Sequence, residues 1–482
     1  MTIRELQLKL RNGEIGVVEL TKSYLDKIEK CDKEINSYIT VSAEKALKDA
    51  EYAQKKILSG DAELLTGIPL SIKDNICTQG IRTTCASKML EDFVPVYNAT
   101  VVDKIEKSGA VMLGKTNMDE FAMGGSSQTS YFGGVKNPYN LTRVAGGSSG
   151  GAAASVAADL CVAALGSDTG GSVRQPAAFC GVTGLKPTYG AVSRYGLIAF
   201  ASSFDQIGVC AVSAEDCAIV LDVICGRDEK DATSSHKAKG NYTEFIGMSL
   251  KGKKIGIPKE FFGEGISDEV KLAVMKSAEF YKDVGCEMVE VSMPSLKYAV
   301  SAYYLISSAE AASNLSRFDG IKYGHRGVGD TYDELIKRTR SEGFGDEVKR
   351  RILLGNYALS SGYYDAYYNN ANRIRTQIIA EYDSIFEKCN VILTPTAPTS
   401  AYRIGQQEKA PVRMYLSDIC TVTANIAGLP AISTPCGYDK DGMPIGMSLV
   451  GRAFDEANLV AICNVYEKAF DRKQPKERNK EK

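Results

Sequence analysis

Two glycine-rich turns, each holding a serine, constrain this chain more than any other feature. The first is Gly146-Gly147-Ser148-Ser149-Gly150-Gly151. The second runs from Ser167 through Asp168-Thr169-Gly170-Gly171-Ser172 to Val173-Arg174-Gln175-Pro176. The stretch between them, Ala152 to Gly166, is apolar and reads as a buried helix followed by a strand. Glycine beside serine lets the backbone approach another group closely and aim its N–H groups at a developing negative charge. One such turn is commonly structural. Two in tandem, with an isolated lysine upstream in Ser71-Ile72-Lys73-Asp74-Asn75, have the makings of catalytic machinery.

The surrounding pattern predicts an α/β fold. Val17, Leu20, Tyr24 and Ile28 recur at helical spacing, and Ala43 to Ile57 is a second amphipathic helix closed by Ser59-Gly60. From Gly67, short apolar strands (Ile68 to Ile72, Val111 to Leu113, Leu160 to Leu165) alternate with helices such as Ala99 to Lys107. A further α/β stretch begins near Lys254. It has strands at Ile255 to Pro258, Cys286 to Val291 and Val391 to Pro395, a helix over Ser267 to Val284, and a tyrosine-rich helical segment from Tyr298 to about Tyr382. Gly226 to Gly240 reads as a surface loop, and no linker splits the chain. The expected organisation is a single domain. N-terminal helices fill 1–60, a catalytic core 61–225 and a second α/β part 226–470, and a charged, frayed tail follows at 471–482.

Bulk properties exclude several functions. The net charge of −1 gives no global field for nucleic acid or an acidic membrane. No apolar run is long enough to span a bilayer, and the first residues lack a signal-peptide core, so a cytoplasmic location without membrane association is expected. No cysteine pair has metal-ligand spacing. Cys161, Cys180, Cys210, Cys225 and Cys420 sit among small or apolar residues, as buried hydrophobes do.

Three familiar patterns are accidental. Gly109 to Thr116 matches a phosphate loop, but a helix precedes it and its spacer is itself a strand. Gly146 to Gly150 matches a nucleophile elbow, which needs a late catalytic histidine. The chain has only His236 and His325, both in polar, loop-like surroundings. Asp168-Thr169-Gly170 resembles an aspartic-protease loop, yet no second copy exists to complete a dyad. Without histidine, a serine nucleophile needs another base. Lysine serves if burial leaves it neutral, and Lys73 follows the apolar run Gly67 to Ile72.

Gly67 to Asn75, Gly146 to Gly151 and Asp168 to Ala177 together resemble the amidase signature family, over about Leu6 to Ala469. The resemblance implies a large mixed central sheet covered by helices on both faces. It implies Ser172 as nucleophile, Ser148 as a bridging serine on a cis peptide bond, and Lys73 as base. The N–H groups of Thr169, Gly170, Gly171 and Ser172 would form the oxyanion hole, and the nearby Ser149 and Ser155 would be structural.

Gly184 to Gly208, Gly124 to Ser130 and Phe344 to Ile352 resemble one branch of that family, the glutamine-hydrolysing subunits of bacterial tRNA-dependent amidotransferases. Val209 departs from that branch, which has proline there, a change expected to affect only a turn. The branch implies a pocket for glutamine. Arg351 would take the carboxylate and Asp418 the ammonium. Gly124, Gly125, Ser126 and Gln128 would line it, with Tyr303 or Tyr304, and Arg350 stands adjacent. It further implies no cofactor or metal in this chain. Two further subunits would be partners: one kinase-like and tRNA-binding, using ATP and magnesium, the other small and stabilising. Misacylated tRNA would be met only indirectly. The alternatives are a free-standing amidase on small amides and a non-catalytic assembly protein.

Overall fold

The computed structural model describes residues 1–406 and 415–475. Its strands are β1 (Tyr38–Val41), β2 (Pro69–Lys73), β3 (Val111–Thr116), β4 (Lys136–Asn137), β5 (Asn140–Val144), β6 (Ala163–Asp168), β7 (Thr183–Lys186), β8 (Gln206–Ala211), β9 (Lys254–Pro258), β10 (Glu287–Val291), β11 (Val391–Pro395), β12 (Ala431–Tyr438) and β13 (Pro444–Val450). Eleven of them form one mixed sheet in the order β1-β3-β2-β6-β8-β7-β12-β13-β11-β9-β10, while β4 and β5 form a separate hairpin. The triplets β3-β2-β6 and β11-β9-β10 are parallel, and the strands between them are antiparallel.

Every residue of β2, β3, β6, β8 and β13 is buried, so helices cover both faces of the sheet, as the pattern of apolar runs implies. Because β2 and β6 are parallel, Lys73 and Asp168 finish at the same sheet edge. The fully buried helix Gly150–Ala157 lies between them in sequence and packs on β6. A Cβ on Gly151 would drive into the carbonyls of Ser37 and Asn117, so only glycine lets this helix sit so close.

Several expected boundaries move. The apolar run at Leu160 turns first, with Asp159 in the left-handed region, and β6 begins only at Ala163. Apolarity there reports burial rather than extension. β3 continues through Gly114, Lys115 and Thr116, because the Lys115 ammonium is buried against Asp74 (3.6 Å), Thr83 and the Ile76 carbonyl. The same contacts dispose of the phosphate-loop pattern: the helix Thr100–Ser108 precedes Gly109, and Lys115 faces protein.

Val209 is not in a turn. It is fully buried inside β8, opposite Leu165 and Leu185. The tyrosine-rich helical segment comprises Leu296–Asn314, Tyr332–Gly343, Asp346–Leu359 and Asn370–Phe386, with a π-helical stretch at Tyr364–Asn369. Of the expected tail, 471–475 is non-helical with Arg472 near Glu467 (3.7 Å), and the rest lies outside the described residues. Among the described residues no helix is long and apolar enough to cross a membrane.

Candidate active site

Lys73 ends β2 with its side chain fully buried. Its Nζ stands 2.7 Å from Ser148 Oγ, 2.8 Å from Ser149 Oγ and 2.9 Å from Ser167 Oγ, with the Ser167 carbonyl at 3.2 Å. Among the described residues it has no salt bridge. Burial lowers its pKa to about 7 against the opposing pull of the Asp119, Asp168 and Asp205 carboxylates. Near neutral pH a large fraction is therefore an uncharged amine with a lone pair.

The Gly147–Ser148 peptide bond is cis. The Ser148 carbonyl accepts from the Asp119 amide (3.2 Å) and the Ser127 hydroxyl (3.3 Å). Gln175 clamps the turn from the other side. Its Oε1 accepts from the Gly147 amide (2.9 Å) and its Nε2 donates to the Gly125 carbonyl (2.9 Å). This places the Gly124–Ser126 loop directly against the first serine turn.

The second turn is organised by Asp168. Its carboxylate meets Arg174 through two nitrogens, at 3.0 and 3.1 Å, and accepts from Asn425 Nδ2 at 2.9 Å. Burial would raise its pKa, but Arg174 outweighs that and holds the carboxyl well below its usual range. It also accepts from the amides of Gly171 (2.8 Å) and Val173 (3.1 Å).

The four amides of this turn that are the expected oxyanion donors differ in their partners. The Gly171 N–H already faces Asp168, while those of Thr169, Gly170 and Ser172 have no partner among the described residues. Gly171 has φ +126°, and a Cβ there would strike Thr421, so the turn requires glycine. Ser172 retains slight exposure, and its carbonyl accepts from the Ser149 amide at 3.0 Å. No hydrogen bond joins the Ser172 and Ser148 hydroxyls among the described residues.

Beyond these turns lies a cluster of charged and aromatic side chains. Adjacent positions on the helix Leu296–Asn314 point about 100° apart, so Tyr303 and Tyr304 serve different neighbours. Tyr303 packs on Phe204 and against Gly170, where a Cβ would come within 2.5 Å of its hydroxyl oxygen. Tyr304 donates to Asp418 Oδ2 (2.6 Å), and its ring lies 4.4 Å from the Arg351 guanidinium.

Arg351 is buried on the helix Asp346–Leu359, with its Nε on Glu347 (2.6 Å) and the Tyr415 ring at 5.0 Å. The Tyr415 hydroxyl also donates to Glu347 (3.0 Å). The terminal nitrogens of Arg351 have no partner among the described residues. Asp418 keeps some exposure; desolvation raises its pKa to about 7, against the Tyr304 hydrogen bond and the Arg351 charge. Gly125 borders Asp418, since its Cβ would lie 3.8 Å from Oδ1.

The structure thus brings together Lys73, Ser148, Ser172, the oxyanion turn, Gly124, Gly125, Ser126, Tyr303, Tyr304, Arg351 and Asp418. Two candidates face elsewhere. Gln128 donates its side-chain amide to the Val135 and Ser126 carbonyls across Gly134, bracing the loop. Arg350 is half exposed and turns back to Glu347. His325 pairs with Glu342 at 3.0 Å, apart from the serines.

Sequence reasoning missed Asp119, Asp205, Glu347, Thr421 and Asn425. Asp205 accepts from Thr169 Oγ1 (2.6 Å), and burial lifts its pKa to about 6. Thr421 donates to the Gly170 carbonyl (2.6 Å). For Glu347, the only available signal was its i,i+4 spacing to Arg351.

The amidase family model matches residues 19–460. A glutamyl-tRNA(Gln) amidotransferase subunit of Ruminiclostridium cellulolyticum is 57% identical, covering 98% of both chains. Its counterpart in Thermoanaerobacter pseudethanolicus is 54% identical, covering 97% of this chain and 96% of its own. Among solved structures, the corresponding glutamyl-tRNA(Gln) amidotransferase chain of Thermotoga maritima superposes with a TM-score of 0.79 at 41% identity, covering 96% of this chain and 93% of that one.

Proposed function

The chain belongs to the amidase family, and on that premise we propose that it is the glutamine-hydrolysing component of a tRNA-dependent amidotransferase. An amidase activity within such a complex accords with relatives that share half or more of its residues. The observation that carries the choice of glutamine is the Tyr303–Tyr304 pair. One ring abuts Gly170 of the oxyanion turn, and the other touches both Asp418 and Arg351. A cation and an anion held one tyrosine away from the reacting centre match the α-carboxylate and α-ammonium of glutamine. A neutral amide needs neither.

The proposed chemistry starts with Lys73 uncharged. It takes the Ser148 hydroxyl proton as Ser148 takes that of Ser172. Ser172 Oγ then bonds to the side-chain carbonyl carbon, and the oxyanion is met by free amides of the second turn, each worth about 3–4 kcal/mol in the transition state. The proton returns through Ser148 to the amide nitrogen, the C–N bond breaks and ammonia leaves. Water then attacks the ester, its proton following the same relay, and releases glutamate.

The partner assignment is part of the same proposal. A kinase-like partner with ATP and magnesium would amidate Glu-tRNA(Gln) or Asp-tRNA(Asn) in the cytoplasm, beside a small stabilising one. The near-zero charge supports leaving tRNA to a partner, since phosphate binding needs basic surfaces.

The test is ammonia release by the native assembly from glutamine and from butyramide, which lacks the α-ammonium and α-carboxylate. The expected preference for glutamine in kcat/KM is at least about 100-fold, the loss a site built for charged groups imposes on an analogue without them. Ser172→Ala abolishes release while the fold is kept. Equal use of butyramide would support a free-standing amidase instead. Glutamine-dependent tRNA amidation by this chain alone would overturn the division of labour.

A further inference from the structure

Glu120 is almost fully buried, yet it lies outside the serine relay and outside the Arg351–Asp418 cluster. Both its oxygens accept from the backbone N–H of Gly345, at 2.9 and 3.1 Å, across 225 residues of sequence. Gly345 is the N-cap of the helix Asp346–Leu359, and it has no side chain to cap that helix itself. Glu120 therefore closes the end of the helix that carries Arg351 by accepting the N–H of its N-cap residue. The fit is tight, because a Cβ on Gly345 would collide with the Glu120 carboxylate. Ser87 secures the same carboxylate from a third segment, its hydroxyl 2.5 Å from Oε1 and 3.2 Å from the Gly343 carbonyl.

The backbone of Glu120 is fixed to the substrate loop. Its amide donates to Thr129 Oγ1 (3.0 Å), and the Thr129 hydroxyl in turn donates to Asp119. The next two residues, Phe121 (φ +48°) and Ala122 (φ +61°), occupy the left-handed region that costs non-glycine residues energy, and lead straight into Gly124 and Gly125. The Phe121 ring is wedged against Phe318 and Phe344, beside Gly345. The turn is thus held at one end by Thr129 and at the other by the Phe318 and Phe344 rings.

We propose that Glu120 is a positioning residue that fixes the Arg351 helix against the Gly124–Gly125 loop, so that Arg351 and Asp418 are spaced for the two charged groups of one amino acid. The proposal rests on the glutamine reading above. Arg351 lies six residues beyond the cap, about 9 Å along the helix, so a shift or tilt of the cap is carried to the guanidinium.

The experiment measures ammonia release from glutamine by the native assembly carrying Glu120→Asp or Glu120→Gln. Aspartate keeps the carboxyl but withdraws it by one methylene; glutamine keeps the reach and an acceptor for Gly345. The expected result is a KM raised at least about tenfold in E120D with kcat within about threefold, the pattern of lost binding rather than lost chemistry. In E120Q, KM stays within about threefold of wild type, because the cap retains its acceptor. An unchanged KM in E120D, or a fall in kcat as large as the fall in kcat/KM, would overturn the positioning role. Absence of glutaminase activity in the wild type would instead overturn the functional reading, so the two failures are separable.

Discussion

Lys73 keeps its proton loosely because burial takes its ammonium out of water, where its nearest neighbours are hydroxyls and a carbonyl rather than a carboxylate. That arrangement fixes the pH response. On the proposed function, Lys73 would work when deprotonated, and its pKa of about 7 means that protonation on the acid side would remove the base. On the same reading, Asp418, also about 7, would hold the substrate ammonium when ionised and lose it on protonation. Both effects have one sign: ammonia release climbs as pH rises through about 7, and Asp418→Asn removes the KM component of that climb while leaving that in kcat. A flat profile from about one pH unit below that midpoint to one above would contradict this. Lys73 was legible in the sequence because two polar, loop-bound histidines left no other base. Glu347 and Thr421 were not, because a single carboxylate on a helix or a hydroxyl in a turn has the same local pattern whether or not it touches a site.

At the scale of elements, the second serine turn is built around a buried ion pair. Asp168 gathers the Arg174 guanidinium, Asn425 and three amides, so the path of the turn depends on a single carboxylate. Asp168→Asn would leave the Arg174 guanidinium buried without its counter-charge, which costs about 3–5 kcal/mol. Denaturant unfolding should show that loss together with a collapse of glutaminase activity; a midpoint within error of wild type would contradict it. With Asp168 held ionised by Arg174, its contribution is present across neutral pH and is lost only in strong acid. The elements themselves were partly legible. Helical periodicity and apolar runs placed β2, β9, β10 and β11 near their observed bounds. The start of β6 was misjudged because buried apolar residues at 160–162 line a bend as readily as a strand.

At the scale of the whole molecule, one sheet carries two differently sourced parts of the site. Lys73, Ser148 and Ser172 come from the β2-to-β6 region, whereas Tyr303, Tyr304, Arg351 and Asp418 come from helices and turns far later in the chain. The signature turns announced the first part because chemistry fixes their local sequence. The second part depends on packing between segments distant in sequence, so only resemblance reached it. The separation carries a prediction. Replacing Arg351 with Met and Asp418 with Asn together should raise KM for glutamine at least about 100-fold and leave kcat on butyramide within about fivefold of wild type, as read by ammonia release. A parallel loss on both amides would contradict it. For anyone wishing to redirect such an enzyme, the fully buried helix Gly150–Ala157 and its flanking glycines mark the part to leave alone. With no room for a methyl group at Gly151, that position is closed to any larger residue, whereas Tyr304, Arg351 and Asp418, in the later half of the chain, lie outside that packing and are the places to rewrite for a new substrate.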